Sequence, residues 1–401
     1  MRIGIIKEGK NPPDKRVPFT PQQCKSIVDN YPEVELYIQK SPIRAFRDEE
    51  YEELGLTLVD ELSDVDTVFG VKEVNIEDLI PNKTHFFFSH TIKEQPYNRD
   101  LLQAVIDKNV SLVDYEVLTK PNKTRLVGFG RYAGIVGTYN AFLAYGVRTG
   151  KYSLKAANKC ADRAEMESEL PKIKLPNDFK IALTGLGRVA GGAIEVLKKM
   201  GVKKVDPTSF LENEFNEPVF AQLSVTDYFK KKDGGAFKRK DAYENAKDFD
   251  SDFMKFAKTA NMYIPCHFWD AEAPFIFTKQ ELASPDFKIE VIADISCDIA
   301  GPIPSTIRPS TIELPIYEVN KKTLEEVETT SEESITVMAV DNLPCELPKD
   351  ASEDFGNELL KSILPALLRQ DPDQIIDRAT IAKNGDLNSH FEYLRDYLAG
   401  R

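Results

Sequence analysis

The stretch Lys180-Ile181-Ala182-Leu183-Thr184-Gly185-Leu186-Gly187-Arg188-Val189-Ala190-Gly191-Gly192-Ala193-Ile194 constrains the fold more than any other. An apolar run enters it, and the chain turns through Gly185 and Gly187. Ala190, Gly191, Ala193, Ile194, Val196 and Leu197 then follow at spacings that suit a helix packed on a sheet. The pattern is G-x-G-x-x-A, the strand–turn–helix dinucleotide fingerprint with Ala190 in third place. Gly185 permits the sharp turn, Gly187 leaves room for a pyrophosphate against the backbone, and Ala190 lets helix and strand lie close. The helix start, Arg188 and Val189 included, offers free N–H groups and a positive dipole end. A second strand, Val202 to Val205, ends in Asp206. An acid about 20 residues past the first glycine is expected to meet a ribose hydroxyl. Glycine turns between strand and helix are common. It is the flanking strand, the helix and the acid together that favour a nucleotide site over a purely structural turn.

The chain has 401 residues, enough for two or three domains. Its net charge of -13 argues against nucleic acid as a partner. Lys230-Lys231-Lys232 and Lys238-Arg239-Lys240 sit among acids and read as solvated faces. The N-terminus reads as a strand start and not a signal peptide, and no apolar run is long enough to span a membrane. Five scattered cysteines without a C-x-x-C suit a reducing cytoplasm and give no metal site.

Residues 1 to 134 alternate short strands and helices. Ile3–Ile6, Val34–Ile38, Thr67–Val71, His85–Ser89 and Ser111–Tyr115 read as strands, and Thr20-Pro21 opens a helix as N-cap and first residue. Strands spaced by helices imply a mostly parallel sheet. Residues 135–150 read as a long linking helix. The fold class is therefore α/β: two Rossmann-like domains with a cleft between them, the second carrying the fingerprint. Residues 1–134 with about 345–401 make the catalytic domain. Residues 135–344 make the nucleotide domain, with residues 207–258 as an insertion after its second strand.

Ligands of parallel α/β sheets sit beyond the carboxyl ends of strands. Lys72, Glu73, His90 and Glu116 each fall just past such an end, and Arg16 lies in the loop after the first strand. His90 suits proton transfer near neutral pH, and serves as well as a hydrogen-bonded structural histidine. A partly buried Lys72 is a usable acid or base; a surface lysine is the simpler reading of the residue alone. Arg16 suits a carboxylate. Glu73 and Glu116 suit holding such cations, or capping helices. His85, His267 and His390 read as structural.

The chain resembles the lysine-forming saccharopine dehydrogenases and lysine–ketoglutarate reductases, within the alanine dehydrogenase and transhydrogenase superfamily. The resemblance rests on Lys15-Arg16-Val17-Pro18-Phe19-Thr20-Pro21, Gly70-Val71-Lys72, Phe87-Phe88-Ser89-His90-Thr91-Ile92-Lys93, Asp114-Tyr115-Glu116 and Val127-Gly128-Phe129-Gly130 with Ala133-Gly134. It continues through Ala293-Asp294-Ile295-Ser296-Cys297-Asp298 and Asp341-Asn342-Leu343-Pro344 with Leu347-Pro348. It implies that Lys72 exchanges a proton with the bridging amine. His90 then serves as acid–base group for water at the imine carbon. Arg16 and Arg125 are implied to hold substrate carboxylates, and Lys93, Glu73 and Glu116 to bind substrate or tune the pair. Asp341 would face substrate and nicotinamide, and Asp298 would lie near the nicotinamide.

The activity so implied is the NAD(P)-dependent interconversion of saccharopine with L-lysine and 2-oxoglutarate. Such chemistry needs two differently tuned proton carriers and cationic partners for three carboxylates. The Asp206 carboxylate slightly favours NAD over NADP, since it would repel a 2′-phosphate. The expected partners are small molecules, an amino acid and a 2-oxo acid, with no nucleic acid or membrane. The sequence gives no oligomeric state. Two other readings stand beside this one: an alanine- or opine-type amino-acid dehydrogenase, and a nucleotide-binding sensor without turnover.

Overall fold

The computed structural model describes residues 1–401. The chain divides into two compact units, Met1–Phe129 with Pro348–Arg401, and Gly130–Leu347.

The first unit is built on an eight-stranded sheet. Six strands are parallel: β1 (Arg2–Ile5), β2 (Glu35–Gln39), β3 (Thr57–Val59), β4 (Thr67–Phe69), β5 (Thr84–Phe87) and β6 (Ser111–Asp114). They lie in the order β3-β2-β1-β4-β5-β6, and strands Thr380–Lys383 and Asp386–Leu387 extend the sheet antiparallel beyond β6. Helices cover both faces, so the strands are short, continuous apolar runs. Ile3, Ile5, Phe69, Phe86 and Val113 pack on one face, and Val68, Phe87 and Leu112 on the other. Phe69 and Phe86 stack at 4.6 Å. The helix Pro21–Asn30 opens as the sequence predicts. Thr20 Oγ1 accepts from Gln23 N, and Gln23 Oε1 accepts from Thr20 N at 2.9 Å.

The second unit holds another eight-stranded sheet. Its parallel strands are β7 (Lys180–Thr184), β8 (Lys203–Val205), β9 (Val219–Leu223), β12 (Met262–Pro265), β13 (Val291–Ala293) and β16 (Ser334–Met338). A separate hairpin joins β10 (Phe229–Lys231) to β11 (Phe249–Ser251). The antiparallel pair β14 (Ile316–Asn320) and β15 (Glu326–Val327) closes the edge beside β16. The order is β15-β14-β16-β13-β12-β7-β9-β8.

That order corrects one expectation and adds to another. Residues 207–258 are not one insertion, because β9 within them is a core strand between β7 and β8. The added piece is the β10–β11 hairpin and its short helices. Asp206 also does not end the strand beside the fingerprint strand. It ends the edge strand β8, is exposed, and caps the next helix by accepting Ser209 N at 3.0 Å.

The predicted long helix is Gly130–Thr149, which packs on the fingerprint helix Arg188–Lys199. The two backbones touch. A Cβ at Gly134 would collide with Val189 O, and one at Gly192 with Arg131 O. Arg131 closes the crossing through a two-point pair with Glu195 (2.7 and 2.8 Å). No helix is long and apolar enough to cross a membrane.

Candidate functional site

Because β1, β4, β5 and β6 are neighbours and parallel, their carboxyl ends bring Glu8, Lys72, Glu73, His90, Asp114 and Glu116 to one rim of the first unit. Asp114 is the frame. Its Oδ2 accepts from Ser89 N (2.9 Å) and from the Ser89 hydroxyl, and its Oδ1 accepts from Glu116 N (2.6 Å). One buried carboxylate thus ties the end of β5 to the end of β6, and fixes where His90 and Glu116 begin.

His90 has a left-handed backbone (φ 55°), a region uncommon for residues other than glycine, and Lys93 N holds its carbonyl at 3.1 Å. Its Nδ1 lies 2.5 Å from Glu73 Oε1, and Lys10 Nζ donates to Glu73 Oε2 at 2.9 Å. Burial alone would raise the Glu73 carboxyl, but the bonds from His90 and Lys10 outweigh it and bring it down to about 2. Glu73 is therefore an ionised group that orients the imidazole. Lys72 is part-buried and no ion pair holds it. Burial, then Arg16 and Lys10, lower its pKa, with Glu73 and Asp14 opposing.

The cations divide into two sets. Glu116 Oε1 collects Arg125 (3.1 Å) and Lys93 (3.5 Å), both about half exposed. Arg16 differs from expectation: only 2% exposed, it pairs with Asp14 through Nε (3.0 Å) and Nη2 (2.6 Å) and lies 4.1 Å over the Phe129 ring. The predicted carboxylate anchor is thus largely committed inside the protein. Burial would raise Asp14, and Arg16 more than reverses it.

The second unit presents the nucleotide turn. Gly185 has φ +106°, and a Cβ there would collide with Cys266 O, so only glycine fits. Gly187 faces open space, and Ala190 is fully buried. The helix start at Arg188 has no side-chain cap. Gly185 N donates to Leu223 O (3.0 Å), and Gln222 Nε2 donates to Gly185 O (3.0 Å), so β9 braces the turn. Past β9, Ser224 caps the short helix Val225–Tyr228, and Asp227 in that helix accepts Ser224 N through Oδ2 at 2.7 Å.

Beside this turn is an aromatic cavity of about 310 Å³ lined by Tyr228, Phe229, Tyr243, His267 and Trp269. His267 Nδ1 bonds Thr184 Oγ1 at 2.8 Å, while its Nε2 is buried without a partner. Burial lowers His267 to about 4, so the ring is neutral. Asp298 is half-buried in the loop after β13, its pKa raised by burial, and Asp341 is exposed beyond the end of β16.

Sequence reasoning missed Glu8 and His267. Glu8 follows β1 as Lys72 follows β4, so the same strand-end rule points to it. His267 had no local signal, because the partner strands of β12 are distant in sequence. His85 is structural as read. It is buried, lowered to about 4 by burial, and accepts Ile80 N at 3.2 Å. No group of three or more His, Cys, Asp or Glu is placed to hold a metal ion.

Residues 4–136 match the family model for the alanine dehydrogenase/PNT N-terminal domain. The chain covers 99% of itself and 100% of an L-alanine dehydrogenase structure (TM-score 0.63, 16% identity), and 96% and 98% against a transhydrogenase from Sinorhizobium meliloti (TM-score 0.59, 13% identity). The class is therefore the two-domain α/β fold of the alanine dehydrogenases and transhydrogenases.

Within it, the chain is a relative of the lysine-forming saccharopine dehydrogenases, and so of oxidoreductases. It is 26% identical to saccharopine dehydrogenase (NAD(+), L-lysine-forming) of Yarrowia lipolytica, over 91% of this chain and 92% of that one. It is 28% identical over 98% of its length to the alpha-aminoadipic semialdehyde synthase of Arabidopsis thaliana, and 26% identical over its full length to the mitochondrial synthase of Bos taurus. The chain spans 41% and 48% of those two longer proteins.

Proposed function

We propose that the protein interconverts saccharopine with L-lysine and 2-oxoglutarate in a nicotinamide-linked reaction. The observation that carries this reading is the pair of unlike proton carriers on successive strand ends: Lys72, desolvated and not ion-paired, and His90, held by an ionised Glu73.

The chemistry asks for that pair. The ε-amine of lysine adds to the ketone of 2-oxoglutarate, the carbinolamine loses water, and the imine is reduced to a secondary amine. Lys72, with a lowered pKa, takes and returns the proton at nitrogen. His90 delivers the proton that lets oxygen leave as water, with Glu73 stabilising the imidazolium between transfers. Arg125 and Lys93, half exposed and gathered by Glu116, are the groups able to reach substrate carboxylates; Arg16 supports the rim from beneath.

A bound nicotinamide dinucleotide supplies the hydride. The second unit fits one. Open space over Gly187 and the helix start suit the pyrophosphate, and the cavity at Tyr228 and Trp269 suits an adenine ring, with His267 Nε2 as a polar partner. We assign the ribose to Asp227 and not to Asp206, because Asp227 lies in the short helix that follows the strand beside the fingerprint strand, whereas Asp206 follows the edge strand; the Asp227 carboxylate favours NAD.

The test is NADH and NADPH oxidation with lysine plus 2-oxoglutarate, run beside pyruvate plus ammonia, for the wild type and Lys72→Met. Oxidation that requires lysine and collapses in Lys72→Met is the expected result. Turnover with pyruvate and ammonia alone moves the protein to the alanine type. Nucleotide binding without any turnover overturns the enzyme reading.

A further inference from the structure

Val71 and Lys72 lie just past the end of β4, where the sheet stops supplying partners on one side. Toward β5 the ladder continues: Gly70 N donates to Phe86 O (2.9 Å) and Phe88 N donates to Val71 O (3.0 Å). Toward β1 the last ladder bond is Ile6 N to Phe69 O (3.0 Å). The next two N–H groups on that side belong to Val71 and Lys72. A desolvated N–H left without an acceptor costs about 1–3 kcal/mol.

Glu8, two residues past Ile6, provides both acceptors. Its Oε1 takes Val71 N at 2.7 Å and its Oε2 takes Lys72 N at 2.9 Å. On the other side of the same turn, the buried Tyr115 hydroxyl donates to Gly70 O at 2.9 Å. One carboxyl group thus stands in for a missing strand, and the peptide bearing Lys72 is held from two sides.

We infer that Glu8 is a positioning residue, which keeps the Lys72 ammonium at its desolvated place on the rim by clamping the two amides that carry it. This rests on the reading of Lys72 as a proton carrier. Glu8 acts through backbone and not through charge. The forces that shift Lys72 are burial, then Arg16, Lys10, Glu73 and Asp14. The groups facing the Glu8 carboxyl are the Lys72 and Val71 amides, Asp14 and Arg16; burial raises its pKa to about 8 against those amides and Arg16. The side-chain type is restricted by the geometry. Glutamine offers one acceptor oxygen and would turn its own N–H₂ on the second amide, and aspartate is one methylene short of reaching both.

The experiment compares the full-length wild type, Glu8→Gln and Glu8→Asp. Acetylation of Lys72 by acetic anhydride is followed across pH by peptide mass spectrometry, a readout that needs neither substrate nor turnover. Circular dichroism establishes that each variant is folded. In the wild type Lys72 is expected to titrate below the ordinary lysine value of about 10.4, and in both variants to move up toward it. In the same variants kcat with lysine and 2-oxoglutarate should fall about a hundredfold while KM for the nicotinamide stays constant. Identical Lys72 titration in the wild type and in whichever variants fold overturns the inference. A shifted titration in proteins that turn over no lysine leaves Glu8 as the clamp and removes the substrate reading instead.

Discussion

The two large sheets follow the same plan and deal their outer strands differently. Beside β1, the chain's next strand is the next strand in space, giving β3-β2-β1-β4-β5-β6. Beside β7, the chain goes first to the edge and then back to the neighbour, giving β8-β9-β7-β12-β13-β16. The first sheet carries ionisable groups at its carboxyl ends. The second carries a glycine turn, a helix start without a side-chain cap, and aromatic rings. The rule that ligands meet carboxyl ends needs only strand direction, so it holds for either order. A rule that counts residues to one particular neighbour depends on the order itself, and Asp206 follows the edge strand instead of that neighbour.

On the proposed reading that contrast assigns proton chemistry to one sheet and nucleotide contact to the other, and five substitutions probe it. The largest effect is expected from Lys72→Met. It should lower kcat by about 10²–10⁴ while nucleotide affinity, read by fluorescence quenching, stays as in the wild type. Equal loss of both would erase the division. Next is Gly185→Ala, whose new methyl meets Cys266 O at a positive φ. It should cost about 3 kcal/mol in urea unfolding and remove nucleotide binding, with the acetylation profile of Lys72 unmoved.

Third is Glu73→Gln. The folded-state carboxyl lies near 2, below its unfolded value, so its stabilisation is full above the ordinary glutamate range and is lost as pH falls through 2. The wild type should shed about 2–3 kcal/mol on that descent, and Glu73→Gln should show a flatter acid limb in urea titrations at successive pH values. The smallest effects separate two aspartates. Asp206→Ala should lower the urea midpoint slightly as a lost helix cap and leave the NADH to NADPH rate ratio alone. Asp227→Ala should shift that ratio toward NADPH. The opposite pattern would return the ribose to Asp206.

Much of the first sheet was legible because buried parallel strands are short apolar runs, and whatever polar residue follows each run must sit on the rim. Lys72, His90 and Glu116 were found in that way. Glu8 obeys the same rule but was read only as the tail of a strand start. The fate of Arg16 was hidden for another reason: Asp14 stands two residues before it, and burial of both cannot be seen in a charged loop. In the second sheet, Pro218-Val219-Phe220-Ala221-Gln222-Leu223 announces β9, yet charged flanks on both sides disguised it as part of an insertion. Strand order is a tertiary choice between two short parallel strands, and local pattern does not decide it.

The first unit is assembled from the two ends of the polypeptide. Val17 N donates to Ser352 Oγ (2.9 Å), Gly128 N to Glu358 Oε2 (2.9 Å), and Phe355 stacks on Phe129 (4.4 Å) and packs against Phe88, two residues before His90. A ribosome therefore releases every residue of Gly130–Leu347 before the segment that completes the rim's foundation exists. During synthesis the second unit can therefore fold while the rim that carries Lys72 and His90 still waits on an unfinished core.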